Sequence, residues 1–301
     1  MKNLLLEGQR KISRLEGMLR YYCNPLPLPN YPRGIHATAE HKAKGGNLWN
    51  RSRREDFREA ADPSVLWHEG AWYLYVSGTM AYVSRDFQTW THHPINIPWI
   101  GYAPTIVRHG HTFLLTACQA EIYTSDHPLG PFTALGPVCS AAGEKIDKWL
   151  DPMLFADEDG RLYAYWGLHD GIFGMELDTN HPVRGLSEPH YLFNFDPKHE
   201  WERAGEAHQF QDSYIEGAWM LKHQGRYYLT YAGPGTELTH YAMGCYVAES
   251  PLGPFVYQQR NPILRDPHGL VNGPGHGCLV RGPGGNALGI LHLPDSDQPL
   301  V

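Results

Sequence analysis

The sequence has no run of about 18 apolar residues, the length a spanning helix requires, and a membrane helix is excluded on that ground. Its five cysteines, Cys23, Cys118, Cys139, Cys245 and Cys278, are odd in number, scattered and without a Cys-x-x-Cys pair, so they read as free thiols rather than a zinc or redox motif. Basic residues are short as well. With 25 Lys and Arg against 32 Asp and Glu, and a formal charge of -7, the chain has no surplus of positive charge for a phosphate backbone, so no nucleic-acid partner is expected. The glycine-rich stretches "GPGHG" and "RGPGG" lack the Lys-Ser/Thr of a phosphate loop and its strand-then-helix setting, which removes nucleotide binding and leaves no organic cofactor. The N-terminal "MKNLLLEGQRKISRLEG" has a leucine run too short and too soon charged for a signal peptide, so a cytoplasmic location is expected, with no membrane partner. A neutral, polar substrate fits this balance.

What the sequence does contain is turns and rings. It has 32 glycines, 24 prolines and 12% aromatic residues in 301, a composition of short strands and many turns. One grammar recurs: "ADPSVLWHEGAWYLYVSG" (61 to 78), "YAPTIVRHGHTFLLTAC" (102 to 118), "LDPMLFADEDGRLYAYWG" (150 to 167) and "IEGAWMLKHQGRYYLTYAG" (215 to 233), with a weaker copy in "PGHGCLVRGPGGNALGILHL" (274 to 293). Each is an anchor residue, a short apolar strand, a glycine turn and an aromatic strand, the pattern of a β-hairpin. Five copies from Asp62 onward, about 48 residues apiece, suit the four-stranded blades of a propeller. A second echo, "SDHPLGPF" (125 to 132) against "ESPLGPF" (249 to 255), supports the repeat. Such hairpins would also build a sandwich or jelly roll; the shared place of the anchors favours the propeller.

Counting to the turn glycine, Asp62 and His276 stand eight residues before Gly70 and Gly284, while Asp151 and Glu216 stand nine before Gly160 and Gly225. The first strand of every blade lines the central channel, so these four side chains are expected to meet near the axis. Local turn chemistry explains an Asp-Pro singly, but not an acid retained in the Glu-Gly copy. Crowded carboxyls raise one another's pKa, and glycosidic cleavage asks for such a set: a protonated acid at the leaving oxygen, a base for water or a nucleophile, and a third group that tunes the acid. Aromatic platforms for sugar are available in Trp49, Trp72, Trp99, Trp166 and Trp219, although most aromatics at hairpin spacing must be blade core.

At "ADPSVLW", "DPMLFADEDGRLYAYWG", "IEGAWMLKHQGRYYLTYAG" and "GPGHG" the sequence resembles glycoside hydrolase family 43, a group of five-bladed β-propeller enzymes, over about Ala61 to Gly277. The resemblance implies that Asp62 is the general base, that Asp151 tunes and orients the acid, and that Glu216 is the general acid. His276 matches a histidine associated with a central metal ion, often calcium, held mostly through water. It also implies an inverting, exo-acting hydrolase that releases α-L-arabinofuranosyl or β-D-xylosyl units from plant oligo- or polysaccharides. Where the family often has Trp-Ala-Pro, this chain has Tyr102-Ala103-Pro104, so Tyr102, with Trp166 and Trp219, is expected to wall the sugar.

The expected fold is all-β: a five-bladed propeller over 61–301 whose last blade is short, preceded by an N-terminal extension, 1–60, that packs on it. The extension holds a short amphipathic helix within residues 4 to 22, the Pro-rich "NPLPLPNYPRG" (24 to 34) and the charged "RSRREDFRE" (51 to 59), a place for an oligomer contact. His208, eight residues before Glu216, reads more simply as a loop residue than as a pocket one. Rival readings are a carbohydrate-binding propeller without turnover, a glycosidase of the same fold acting on another sugar such as a galactoside, and a retaining, fructose-transferring enzyme. The last would place Asn before the first Asp-Pro, where this chain has Ala61.

Overall fold

The computed structural model describes residues 26–31, 60–78, 80–97, 101–118, 121–265, 273–281 and 287–292. The expected helix within 4 to 22 and the charged stretch 51 to 59 lie outside these residues. The first blade is β1 (Ser64–His68), β2 (Ala71–Val76), β3 (Met80–Ser84) and β4 (Thr91–Pro94), paired in that order. The second is β5 (Thr105–His109), β6 (Thr112–Thr116), β7 (Ile122–Ser125) and β8 (Thr133–Gly136). The third is β9 (Met153–Ala156), β10 (Leu162–Trp166), β11 (Ile172–Leu177) and β12 (His190–Phe193). After a 3-10 turn at Glu200–Glu202 comes the fourth, β13 (Glu216–His223), β14 (Arg226–Gly233), β15 (Ala242–Ala248) and β16 (Val256–Tyr257), with β17 (Leu264–Arg265) also on β15. Last are β18 (Gly275–Arg281) and β19 (Ala287–His292), which pair only with each other among the described residues.

All five repeats of the sequence are hairpins. In the first, His68 opposes Ala71 across Glu69 and Gly70, both left-handed (φ 47° and 79°); in the fourth, His223 opposes Arg226 across Gln224 and Gly225 (φ 48° and 77°). Two consecutive left-handed residues make the type I′ turn whose twist suits a two-residue hairpin, and glycine takes the second place without steric cost. The expectation of five four-stranded blades is corrected: the described residues hold four such blades and a two-stranded fifth sheet. Too little chain follows β18 within the described residues to add its outer strands.

Sheets pack face to face around the axis, so each inner strand is buried on both sides and its residues divide by parity. On β2, Tyr73 and Tyr75 join Ile106, Phe113 and Leu115 of the second blade, while Trp72, Leu74 and Val76 turn to a cluster with Cys278 and Ile290 of the fifth sheet. Leu26, Leu28 and Tyr31 of the Pro-rich segment pack in that same cluster, at the seam between the fifth sheet and the first blade. The Pro-Leu-Gly-Pro-Phe echo has a structural cause. Tyr75 donates its hydroxyl to the carbonyl of Pro128, and Tyr165 donates to that of Pro251 at 2.8 Å, so each copy satisfies a buried tyrosine of the preceding blade. No helix among the described residues is long and apolar enough to cross a membrane.

Candidate active site

Every inner strand is entered through a left-handed residue: Asp62 (φ 54°), Ala103 (52°), Asp151 (46°), Gly217 (61°) and His276 (35°). Four of the five are not glycine. Side-chain-bearing residues held there cost of order 1–3 kcal/mol each, and such strain persists where the surroundings fix it, commonly at functional sites. Residues from all five entries, among them Asp62, Ala103, Asp151, Gly217 and His276, line one central cavity. Glu216 stands one residue ahead of its left-handed glycine, above an irregularity in register between Glu216 and Trp219. Counting to the turn glycine had given it the place of Asp151; in the backbone, that place is Gly217.

His276 binds the acids together. Its Nδ1 lies 3.2 Å from Oδ1 of Asp62 and 3.6 Å from Oδ2 of Asp151, with all three side chains 12–13% exposed. The Gly217 backbone runs against the imidazole: a Cβ there would fall 2.8 Å from Cγ of His276. Burial opposes a charge on this ring, but the carboxylates of Asp62, Asp151 and Glu216 outweigh it and hold its pKa above the ordinary range.

Asp62 accepts the Ser77 hydroxyl on Oδ2 at 2.6 Å, and Ser77 Oγ in turn receives the Ala103 N–H of the next blade at 3.1 Å. Asp151 receives the Cys118 thiol on Oδ1 at 3.3 Å and the Gly217 N–H. Burial raises its pKa, and Asp62 adds to this, against His276, Cys118 and Gly217. Glu216 accepts the Tyr241 hydroxyl on Oε1 at 2.5 Å. Burial first, and the charge of Asp151 second, push Glu216 up to about 8, opposed by His276 and the Tyr241 hydrogen bond. A carboxyl with that value is protonated at neutral pH, as a proton donor must be. Tyr214 lies near enough to Glu216, Glu237 and Asp151 for their charges to raise its own pKa after burial, and its hydroxyl reaches Glu237 at 3.3 Å.

Of the predicted residues, Asp62, Asp151, Glu216 and His276 are therefore brought together. Tyr102 is partly buried beside the channel-lining Ala103, and its carbonyl accepts the Cys118 N–H at 2.8 Å. Trp219 lines the channel, but its indole N–H is committed to the Leu279 carbonyl at 2.7 Å, tying β13 to β18. Trp166 departs from the sugar wall: only 3% exposed, it packs between Trp149 and Phe173 in the core of the second and third blades. A large ring on the second strand fills the space between sheets. His208 meets His240 with ring centroids 4.1 Å apart, in the loop before Glu216 and not among the residues lining the channel.

Sequence reasoning missed Ser77, Cys118, Tyr214 and Tyr241. The first two had a signal, for both stand sixteen residues after the residue preceding their anchor, Ala61 and Tyr102 respectively. Tyr241 lies past the aromatic strand of its copy, where no repeat marks it.

The resemblance implies a calcium ion near His276, held mostly through water. Among the described residues no three His, Cys, Asp or Glu side chains are placed to hold a metal ion, whereas calcium takes six to eight oxygens. Nδ1 of His276 is turned to two carboxylates.

A family model described as glycosyl hydrolases family 43 matches residues 45–299. Among curated relatives, a beta-xylosidase of Xylanibacter ruminicola is 28% identical over 46% of this chain and 47% of its own length. A beta-D-galactofuranosidase of Aspergillus niger is 23% identical over 89% of this chain and 82% of its own. The chain thus spans about half the length of the first and most of the second. Of solved structures, a thermostable family-43 glycoside hydrolase superposes with a TM-score of 0.64 at 24% identity, covering 78% of this chain and 83% of that one. An exo-1,5-alpha-L-arabinanase from a bovine ruminal metagenomic library gives 0.60 at 19%, covering 78% and 88%. At these identities the structures speak for the fold.

Proposed function

Since the chain belongs to glycosyl hydrolases family 43 and is a glycoside hydrolase, we propose that it inverts the anomeric centre as it releases xylosyl or arabinofuranosyl units, acting from a chain end. Asp62 is the base: its carboxylate takes a proton from water as the oxygen attacks the anomeric carbon. Glu216 is the acid: its proton passes to the departing glycosidic oxygen while the bond to carbon breaks. Asp151 holds Glu216 protonated and in place. The observation that carries the reading is the contrast between the carboxyls. Glu216 is pushed to about 8 by burial and Asp151, while Asp62 sits between the Ser77 hydroxyl and an imidazole that its neighbours favour as a cation. A closed ring of five sheets is part of the same proposal, supported by Leu26, Leu28 and Tyr31 at its seam. A calcium ion at His276 would rest on one imidazole nitrogen and water.

The xylosyl and arabinofuranosyl preference is supported by relatives named for those activities. A second reading, cleavage of a galactofuranoside, is favoured by the relative of that name that covers 89% of the chain. Aryl β-D-xyloside, α-L-arabinofuranoside and β-D-galactofuranoside assayed side by side choose between them. Following the first-formed anomer by NMR tests inversion: product of opposite configuration to the substrate is expected, and the same configuration would reject Asp62 as base.

A further inference from the structure

We propose that Cys118 is a positioning residue for Asp151, gripping the backbone and the carboxylate of that one residue through a single sulfur atom. The inference rests on the tuning role given to Asp151 above. Sγ of Cys118 accepts the Asp151 N–H at 3.0 Å and donates its own hydrogen to Oδ1 of Asp151 at 3.3 Å. Asp151 is held at φ 46°, in the left-handed region that few residues other than glycine adopt, although Asp is among those that do. The sulfur therefore closes a small ring across the strained residue, fixing the peptide and the direction of the carboxylate together. Burial raises the thiol pKa well above its usual range, as does the charge of Asp151, so the group remains protonated and able to donate.

The first blade contains the same device in oxygen. Ser77, in the place equivalent to Cys118, accepts the N–H of the next blade's entry residue, Ala103, and donates to Asp62. Both positions send their backbone N–H to the residue before their own blade's entry, Ser77 to Ala61 at 2.9 Å and Cys118 to Tyr102 at 2.8 Å. In the second blade the entry residue is Ala103, which has no carboxylate, so the side chain at the end of β6 is left to serve the third blade alone. Cys118 is 7% exposed and is a free thiol, and among the described residues it belongs to no group of side chains placed to hold a metal ion.

The test is a double-mutant cycle on the full chain, with xylobiose or an arabinobiose as the poor-leaving-group substrate. Cys118→Ala and the bulkier Cys118→Val are expected to lower kcat about tenfold with KM within twofold, and Cys118→Ser, which keeps donor and acceptor, to recover at least half. In an Asp151→Asn background, Cys118→Ala should change kcat less than twofold, because the group through which it acts has already been altered. Wild-type kcat in folded Cys118→Val beside an impaired Asp151→Asn overturns this inference alone, as do additive effects or failure of both the Ala and Val variants to fold. Wild-type kcat in Asp151→Asn alone overturns the tuning role and this inference with it.

Discussion

Tyr241 donates its hydroxyl to Oε1 of Glu216 at 2.5 Å, and the ring that carries it lies against Gly275, where a Cβ would fall within 2.0 Å of Cε1. The hydrogen bond favours the ionised acid, whereas burial and Asp151 favour the protonated one. Removing it shifts the balance one way. Tyr241→Phe is expected to move the alkaline limb of kcat/KM to higher pH and, by loosening the acid, to lower kcat about tenfold. A pH-rate profile from 5 to 10 checks the direction.

Asp151 acts on Glu216 in the opposite sense, since its charge is the second largest cause of the raised pKa. Asp151→Asn removes that charge and keeps the shape. The alkaline limb should move to lower pH, and kcat should fall by about 100-fold, the scale of an impaired general acid.

Gly217 combines a left-handed backbone with close contact to His276. Gly217→Ala adds both a steric conflict at 2.8 Å and the strain of φ 61°. A loss of about 1–3 kcal/mol is expected, seen as a lower Tm, with activity falling further because the imidazole between Asp62 and Asp151 must shift. Thermal unfolding and kcat/KM on the same preparation separate the two effects.

Glu216 should also mark the pH dependence of stability. Its pKa rises from an ordinary 4.5 to about 8 on folding, so the folded chain keeps a proton that the unfolded chain loses. The stability it contributes is fully present below about 4.5 and is lost as pH rises through about 8. Glu216→Gln does not ionise, and is expected to match the parent near pH 4 and to exceed it at pH 9. Paired denaturant melts at those two pH values check the sign.

Much of this arrangement was legible in the residues. Hairpins announced themselves because a glycine turn between apolar and aromatic runs has few other uses, and the turn types follow from Glu69-Gly70 and Gln224-Gly225. The meeting of Asp62, Asp151 and His276 followed from their common register, with Glu216 one residue ahead of it. What stayed hidden depends on contacts between distant segments. Trp166 has the local pattern of a sugar platform and of a core ring alike, and only its neighbours, Trp149 and Phe173, decide. The one-residue offset of Glu216 from Gly217 is a matter of backbone φ, which spacing does not record. Tyr241 reaches Glu216 from the loop between β14 and β15, 25 residues away, beyond any repeat. The fifth sheet has two strands among the described residues, and the Pro-rich residues at its seam carry no strand pattern at all.

The central claim, that Glu216 supplies the proton to the leaving oxygen, is tested most directly by the leaving-group dependence of Glu216→Gln. Rates on an unactivated disaccharide should drop by about 1000-fold or more, while rates on a dinitrophenyl glycoside, whose leaving group needs no proton, should drop by no more than about tenfold. An equal loss on both substrates, or none on the disaccharide, would contradict it.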